Sequence, residues 1–250
     1  MFRVVIPARF ASTRLPGKVL LPLAGKPMIQ WVHERALAAG PAEVVIATDD
    51  ARIAAVAASF GAVVAMTATG HPSGTDRIAQ AAHERGWSGA DIVVNVQADE
   101  PLIPSALISQ AARALEAHPR ADVATLAAAI GSSEEFLDPN VVKVVVDAQG
   151  RALYFSRAPV PWDREGAALR PPQMSCAGTL RHIGIYAYRV AALARLASLP
   201  PSALEEREKL EQLRALENGL QIHVARASEP CGPDVNTAED LQRVARLMGA

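Results

Sequence analysis

Residues 4–20 read VVIPARFASTRLPGKVL, an apolar run followed by a basic segment. The run VVI predicts a buried β-strand that stops at Pro7. The segment after it carries Arg9, Arg14 and Lys18, and no acidic residue occurs before Glu34. Because the whole chain has a net charge of −1, this cluster of cations predicts a site for an anion from outside the chain. The alternative is a solvated basic loop with ordinary surface charges.

Strand-like and helix-like segments alternate after this first strand. Apolar runs predict strands at residues 2–7, 43–48, 62–66, 91–96, 122–129 and 141–147. Helical spacing predicts helices at residues 27–39, 50–60 and 75–85, each followed by a glycine. Such alternation is typical of the α/β class, with a mostly parallel sheet and helices on both of its faces.

The pattern changes after residue 150. The runs ALYFS and HIGIYAY predict two further strands, and the proline-rich residues 156–178 predict a long loop. Helices are expected near 190–198, 203–217 and 237–248, with a strand at 220–226. We therefore expect one domain over residues 1–250, made of a binding core at 1–150, a smaller α+β lobe at 151–190, and closing helices and a strand at 191–250.

The composition excludes several classes of protein. A net charge of −1 argues against a nucleic-acid-binding protein, which needs a basic face. No apolar run reaches the roughly 18 residues that span a bilayer, so no membrane contact is expected. Cys176 and Cys231 are too few for a disulfide framework or a zinc site. Both are expected to be structural, in a protein of the reducing cytoplasm.

A second candidate loop follows the apolar strand at 91–96. In open α/β sheets ligands bind beyond the carboxyl ends of the strands, so Asp99 in the sequence QADEP can face the basic loop. A carboxylate together with phosphate oxygens is the usual environment of Mg²⁺. The alternative is that Asp99 caps the helix expected to begin near Pro104.

The spelling of several motifs indicates a family. PARFASTRLPGK at 7–18, SGTDR at 73–77 and NVQADEP at 95–101 resemble motifs of the sugar-acid cytidylyltransferases. The similarity covers nearly the whole chain and is greatest to members that use 3-deoxy-manno-octulosonate (Kdo), through DPNVVKVV at 138–145, LYFSRAPVPWDR at 153–164, RHIGIYAYR at 181–189, LEQLR at 210–214 and VNTAEDLQRV at 235–244. This resemblance implies a homodimeric, Mg²⁺-dependent enzyme that joins CTP to Kdo for lipopolysaccharide synthesis and releases pyrophosphate.

The resemblance also implies roles for residues of the nucleotide-binding core. The CTP molecule would be held by Arg9, Ser12, Arg14, Lys18, Ser73, Arg77 and Gln97. The catalytic residues would be Lys18 at the α-phosphate, Arg14 at the departing pyrophosphate and Asp99 as a ligand of Mg²⁺. Positioning and electrostatic stabilisation would supply nearly all the catalysis of such a transfer.

In the lobe and the helices after it, the resemblance implies a sugar pocket lined by Arg157, His182, Tyr186, Glu211 and Gln212. Arg157 or His182 would bind the carboxylate of the sugar, and the other three would bind hydroxyls. By pattern alone, Tyr186 is a core aromatic and Glu211 belongs to a solvated helix face. The remaining histidines receive no role, because none has a metal-ligand spacing such as H-E-x-x-H.

The chain departs from the family pattern at its last motif. The usual ending is V-D-T-x-E-D-L, whose first acid is the second metal ligand. This chain has Asn236 at that position and Asp234 two residues earlier. Asn236 is the expected ligand by register, with Asp234 as its rival. Two other functions stay open, namely a cytidylyltransferase for another sugar acid such as sialic acid, and an inactive nucleotide-binding module.

Overall fold

The predicted apolar runs form strands of one sheet. The computed structural model describes residues 1–11, 14–164 and 176–249. Its strands are β1 (Phe2–Ala8), β2 (Pro22–Leu23), β3 (Lys26–Pro27), β4 (Val44–Thr48), β5 (Val63–Met66), β6 (Ile92–Asn95), β7 (Val123–Ala129), β8 (Lys143–Val146), β9 (Ala152–Ser156), β10 (Leu180–Arg189) and β11 (Ile222–Arg226). Strands β2 and β3 form a small hairpin, and the others share the sheet.

The sheet is mostly parallel. Its order is β11-β7-β10-β6-β1-β4-β5, with β8 attached to β10 and β9 to β8. Strand β1 pairs in parallel with β4 and β6, and the pairs β4–β5 and β7–β11 are also parallel. Strand β10 is inserted antiparallel between β6 and β7. The expected α/β class with a mostly parallel sheet is therefore confirmed.

Helices cover both faces of this sheet. They are α1 (Met28–Ala38), α2 (Ala51–Ser59), α3 (Gly74–Glu84), α4 (Ser105–Ala117), α5 (Ser133–Leu137), α6 (Val190–Ser198), α7 (Ala203–Glu208), α8 (Gln212–Glu217) and α9 (Ala238–Leu247). Side chains alternate across a strand, so Val4 and Ile6 of β1 join one apolar layer with α1, α2, α4 and α9, whereas Val5 joins the other with α3, α6 and α8. Within the described ranges no helix is long and apolar enough to cross a membrane.

Two predictions for the second half need correction or completion. The helix expected over 203–217 is divided into α7 and α8, because Lys209 adopts a left-handed conformation with φ of 54°. Helix α5, which the sequence did not indicate, has five residues and is too short for a periodic pattern. Residues 165–175 of the expected loop lie outside the described residues. The division of the chain at residues 150 and 190 stays a prediction.

Tertiary contacts supply acidic partners for several of the early cations. Ion pairs of 3.0, 2.6 and 2.7 Å join Arg3 to Asp91, Lys18 to Asp99 and Lys26 to Glu34. Among the residues that the structure describes, Arg9 and Arg14 have no carboxylate partner. The unneutralised charge that the sequence indicated is therefore concentrated at Arg9 and Arg14, close to the end of β1.

Candidate active site

A tight turn folds the basic loop back after β1. The Lys18 N–H donates to the Leu15 carbonyl at 3.2 Å, with Pro16 and Gly17 at the centre of the turn. Gly17 has φ of 67°, which favours glycine. A Cβ atom at Gly17 would also lie 2.9 Å from the Phe10 ring. Proline followed by glycine is the usual sequence of such a turn, so the local sequence explains how Lys18 is placed.

Lys18 lies at the centre of a cluster of oxygen atoms. Its Nζ donates to Asp99 Oδ2 at 2.6 Å, to the Val235 carbonyl at 3.0 Å and to Asn236 Oδ1 at 3.2 Å. The Val235 N–H in turn donates to the Asp99 carbonyl at 2.9 Å. The loops after β1 and β6 and the segment before α9 therefore meet at one ammonium group.

Asp99 does not cap the helix that follows it. Helix α4 begins at Ser105, its N-cap residue is Pro104, and no side chain caps it. A short turn, closed by the Ile103 N–H on the Glu100 carbonyl at 3.1 Å, separates Asp99 from the helix. The capping alternative is therefore wrong, and the Asp99 carboxylate faces the basic loop.

Asn236 is oriented by contacts on both sides of its amide. Its Oδ1 accepts from Arg14 Nη2 at 2.9 Å as well as from Lys18, and its Nδ2 donates to the Asp234 carboxylate. The Asn236 N–H donates to Asp240 Oδ2 at 3.1 Å, and Asp240 also completes the capping box at the start of α9. The amide oxygen thus faces Lys18, while Asp234 lies behind the amide nitrogen.

These side chains border an open cleft. A cavity of about 600 Å³ is lined by Arg9, Arg14, Lys18, Gln97, Asp99 and Asn236, among others. A second cavity of about 320 Å³ adjoins it, because Pro7, Arg9 and Gln97 line both. Both volumes fall within the range of roughly 300–1,000 Å³ that small-molecule sites have. Ser12 lies outside the described residues, so its contact with CTP stays a prediction.

The second cavity has a less charged wall than the sequence indicated. Arg77 is buried, pairs with Asp49 Oδ2 at 3.0 Å and donates to the Thr67 hydroxyl. The Ser73 hydroxyl caps α3 and lies 2.9 Å from Glu211 Oε1. Because both predicted ligands already have protein partners, this end of the cleft suits a neutral group such as a base or ribose better than a phosphate.

Sequence reasoning missed two residues at this end. Asp49 directly follows β4, so the strand-end rule that found Asp99 applies to it equally. His71 lines the second cavity and contacts Gln80, although no role was assigned to it. Its position two residues before the SGTDR motif was the available signal.

The oxygens around Lys18 have the chemistry of a magnesium site. Carboxylate and amide oxygens are hard donors, and those of Asp99 and Asn236 already converge on one cation. Within the described part of the chain, no three His, Cys, Asp or Glu side chains are grouped to hold a metal. A magnesium ion here would therefore need phosphate oxygens or water as further ligands. Burial, together with Asp99 and Asp234, raises the pKa of Glu100 to about 8, so this carboxyl is mostly neutral at pH 7.

His182, a residue of the predicted sugar pocket, is half-buried. Its Nε2 lies 2.9 Å from Thr125 Oγ1, and the Thr125 hydroxyl donates to the Ile185 carbonyl at 2.7 Å. The ring packs against Phe155 and Tyr186, with centroids 5.1 and 5.2 Å apart. Burial lowers the pKa of His182 to about 3, so the imidazole is neutral at physiological pH. Of the two candidates for the sugar carboxylate, Arg157 is the one that carries a positive charge.

Glu211 and Gln212 also face the interior. Together with Tyr186 they line a cavity of about 40 Å³, close to the volume of one water molecule at about 30 Å³. Glu211 accepts from Thr75 at 2.5 Å and from Arg214 at 3.0 Å. Burial raises the pKa of Glu211, and the hydrogen bonds from Thr75 and Ser73 oppose that shift. The alternative of a solvated helix face is therefore wrong for Glu211.

Arg157 is set apart from the other four predicted sugar residues. Its Nε donates to the Glu208 carbonyl at 2.7 Å and its Nη1 to the Pro139 carbonyl at 2.9 Å. Its backbone N–H donates to the Glu208 carboxylate at 2.7 Å. In the described residues its guanidinium forms no ion pair within 4.0 Å, although its charge helps to lower the pKa of the nearby Glu208 carboxyl.

Comparisons with known proteins identify the family. The family model described as cytidylyltransferase matches residues 3–222. The protein named 3-deoxy-manno-octulosonate cytidylyltransferase from Thioalkalivibrio sulfidiphilus is 57% identical, over 100% of this chain and 99% of its own. The protein of the same name from Cellvibrio japonicus is 54% identical, over 99% of this chain and 98% of its own.

A solved structure supports the same assignment. It is that of a CMP:2-keto-3-deoxy-manno-octonic acid synthetase complexed with CTP, which is 43% identical and superposes with a TM-score of 0.89. The match covers 100% of this chain and 99% of the other. The resemblance first noted in the motifs is thereby confirmed. The chain belongs to the cytidylyltransferase family and, within it, to the 3-deoxy-manno-octulosonate cytidylyltransferases.

Proposed function

We propose that this protein transfers the cytidylyl group of CTP to the anomeric hydroxyl of 3-deoxy-D-manno-octulosonate, giving CMP-Kdo and pyrophosphate. The relatives that match over their full length carry the name of this reaction, and the solved neighbour is a complex with CTP. The product would serve lipopolysaccharide synthesis, as the names of these relatives imply.

The observation that carries the proposal is the cluster around Lys18. Lys18, Arg14 and Asn236 meet at the mouth of the larger cavity, where Arg9 and Arg14 have no carboxylate partner in the described residues. A triphosphate would supply the missing negative charge. Arginine can bind phosphate oxygens with two parallel hydrogen bonds, and lysine acts as a mobile point charge.

The proposed transfer is an in-line displacement at the α-phosphate. The sugar hydroxyl forms the new P–O bond while the bond to pyrophosphate breaks. Negative charge then gathers on the oxygens of the α-phosphate and on the leaving group. In this proposal Lys18 exchanges its contact with Asp99 for an α-phosphate oxygen, and Arg14 holds the pyrophosphate. Both cations would then stabilise the negative charge that develops in the transition state. Such electrostatic stabilisation is usually the largest single contribution to catalysis.

We further propose Mg²⁺ as the cofactor, held by Asp99 and Asn236. When bound, it would neutralise phosphate charge and so reduce the repulsion between an anionic sugar and an anionic nucleotide. Asp234 would act on this site indirectly, because its carboxylate fixes the Asn236 amide so that Oδ1 points inward. This arrangement supports Asn236 rather than Asp234 as the proposed ligand.

For the sugar acid, we propose Arg157 as the carboxylate ligand and the group of His182, Tyr186, Glu211 and Gln212 as the wall beneath it. The small volume beside Tyr186 and Glu211 means that these side chains must rearrange, or act from behind the surface, when an eight-carbon sugar binds. Exposed Leu153 and Trp162, each 53% accessible, favour a homodimer that uses the lobe as its interface. We propose a cytoplasmic location, because Cys176 and Cys231 form no disulfide with each other in the described residues.

One assay separates this function from the alternatives. Pyrophosphate release is measured with CTP and Kdo, with CTP and sialic acid, and with UTP and Kdo, each over a range of Mg²⁺ concentrations. Turnover of the first pair alone supports the proposal. Equal turnover with sialic acid would replace Kdo by another sugar acid, whereas tight CTP binding without turnover of any pair would identify an inactive module.

A further inference from the structure

We propose that His71 selects the base of the nucleotide by accepting a hydrogen bond at Nδ1 from the 4-amino group of cytosine. This inference rests on the proposed function, because it concerns the CTP molecule bound in the cleft. The hydrogen bonds behind His71 determine which of its ring nitrogens can accept.

The side-chain amide of Gln80 is oriented from two directions. The Ala68 N–H donates to Gln80 Oε1 at 2.9 Å, and Gln80 Nε2 donates to Glu84 Oε1 at 2.7 Å. A backbone N–H can only donate, and an ionised carboxylate can only accept. Both contacts therefore identify the same atom of Gln80 as its carbonyl oxygen.

This oxygen determines the tautomer of His71. His71 Nε2 contacts Gln80 Oε1, and a carbonyl oxygen accepts without donating. Nε2 must therefore carry the proton. A neutral imidazole has one N–H, so Nδ1 is left with an unshared lone pair. No residue in the ranges 1–11, 14–164 and 176–249 makes a hydrogen bond to this Nδ1.

His71 lies at the end of the cleft that suits a base. His71 lines the second cavity, which Arg9 and Gln97 connect to the cavity containing Lys18 and Asp99. At this second end the charge of Arg77 is paired with Asp49, so the unpaired charge of this wall is that of Arg9, which also lines the first cavity. A nucleotide whose phosphates meet Lys18 would extend its base toward His71.

The chemistry of the two pyrimidines makes this acceptor selective. Cytosine has an amino group at position 4, which can donate a hydrogen bond to the unprotonated Nδ1 of His71. Uracil has a carbonyl oxygen there, so two lone pairs would face each other. A site built to pair with one group rejects an analogue that lacks it, because its own polar atom is left without a partner.

The test compares CTP with UTP and with a CTP analogue in which hydrogen replaces the 4-amino group. The dissociation constant of each is measured by calorimetry without sugar, and kcat/KM is measured with saturating Kdo. In His71→Gln, the longer amide can still reach Gln80 but places no acceptor at the position of Nδ1. We expect this variant to lose about 10- to 100-fold in affinity for CTP and little for the amine-free analogue.

Three further variants make the result specific. His71→Asn places an amide oxygen near the position of Nδ1 and is expected to keep most of the discrimination. Gln80→Leu leaves the tautomer of His71 free and is expected to reduce the preference for CTP by a smaller factor. His83→Gln changes an exposed histidine of α3, the helix that carries Gln80. This variant is expected to behave as the unmodified protein does.

Equal losses for CTP and the amine-free analogue in His71→Gln would overturn the proposal, because His71 would then only shape the cavity. Unchanged discrimination in both His71→Gln and Gln80→Leu would overturn it as well. If the unmodified protein binds CTP but does not turn over Kdo, the proposed function fails. The calorimetric comparison still decides the role of His71 in that case.

Discussion

The two ends of the predicted site differ in how far they are prepared for a ligand. At the nucleotide end, Lys18, Asp99 and Asn236 line an open cavity of about 600 Å³. At the sugar end, Tyr186, Glu211 and Gln212 surround about 40 Å³, and Glu211 is already bonded to Ser73, Thr75 and Arg214.

The difference indicates two ways in which polar side chains are stabilised before a ligand binds. Charged groups at the nucleotide end pair with each other in a partly exposed cleft, where a triphosphate can reach them and replace these contacts. Polar groups at the sugar end are buried or half-buried, and Glu211 is satisfied by partners within the protein. Substitutions at the nucleotide end should therefore change the reaction with little effect on folding, whereas those at the sugar end should affect both.

The largest effect is expected at Asp99. Asp99→Asn removes the charge at the cation site, and kcat should fall about 1,000-fold, the upper range for loss of one electrostatic contact. Pyrophosphate release measures the rate, and calorimetry should show a nearly unchanged melting temperature. Asp91→Asn is a matched control, because Asp91 forms a similar pair with Arg3 at the opposite end of β6. A fully active Asp99→Asn enzyme contradicts the assignment.

The next largest effects distinguish the nucleotide end from the sugar end, because one variant should change kcat and the other KM. Lys18→Ala removes a contact that is strongest in the transition state, so kcat should fall about 100-fold. Arg157→Ala removes binding of the sugar, so KM for Kdo should rise about 10-fold while KM for CTP stays near normal. Lys26→Ala, which breaks the pair with Glu34, is the control for loss of a lysine. An effect of Arg157→Ala on CTP alone would show that the sugar end is misplaced.

Acidification should lower the stability of the protein through His182 at the sugar end. The pKa of His182 is about 3 in the folded protein and about 6.5 when unfolded. Between these values the unfolded chain binds a proton that the folded chain does not, so His182 makes stability fall as the pH falls from about 6.5 to 3, by about 1.4 kcal/mol per pH unit.

Urea unfolding of the wild-type protein and His182→Gln between pH 4.5 and 7 measures this contribution. The variant should lose stability less steeply on acidification than the wild type does. His83→Gln, which alters an exposed histidine, should keep the wild-type slope. Identical slopes for all three proteins would mean that His182 is not held neutral by burial.

The smallest effect is expected at Asn236. Asn236→Asp adds a charge to the cation site, so the Mg²⁺ concentration for half-maximal rate should fall a few-fold, by about 1 kcal/mol of binding. If instead Asp234→Ala raises the Mg²⁺ requirement and Asn236→Ala does not, Asp234 is the ligand.

The sequence by itself determined the class of fold and the family. Strand-like runs such as VVI at 4–6 and DIVVNV at 91–96 are long, apolar and separated by helical periods, so local pattern was enough to predict a parallel sheet. The rule that ligands bind beyond the carboxyl ends of strands then selected the loops that carry Lys18 and Asp99. In the structure Lys18 Nζ lies 2.6 Å from Asp99 Oδ2. Motif spelling identified the family, which the comparisons confirm.

Only the tertiary structure decided which charges are free and which polar groups are buried. Arg3 and Lys26 seemed as available as Arg14, but Asp91 and Glu34 pair with them. His182 and Glu211 became half-buried, and the tautomer of His71 follows from Gln80 on the next helix. Each outcome depends on contacts between segments that no local pattern relates. Sequence periodicity therefore predicts the elements, whereas the protonation and pairing of the site are set by long-range packing and the loss of solvent that it causes.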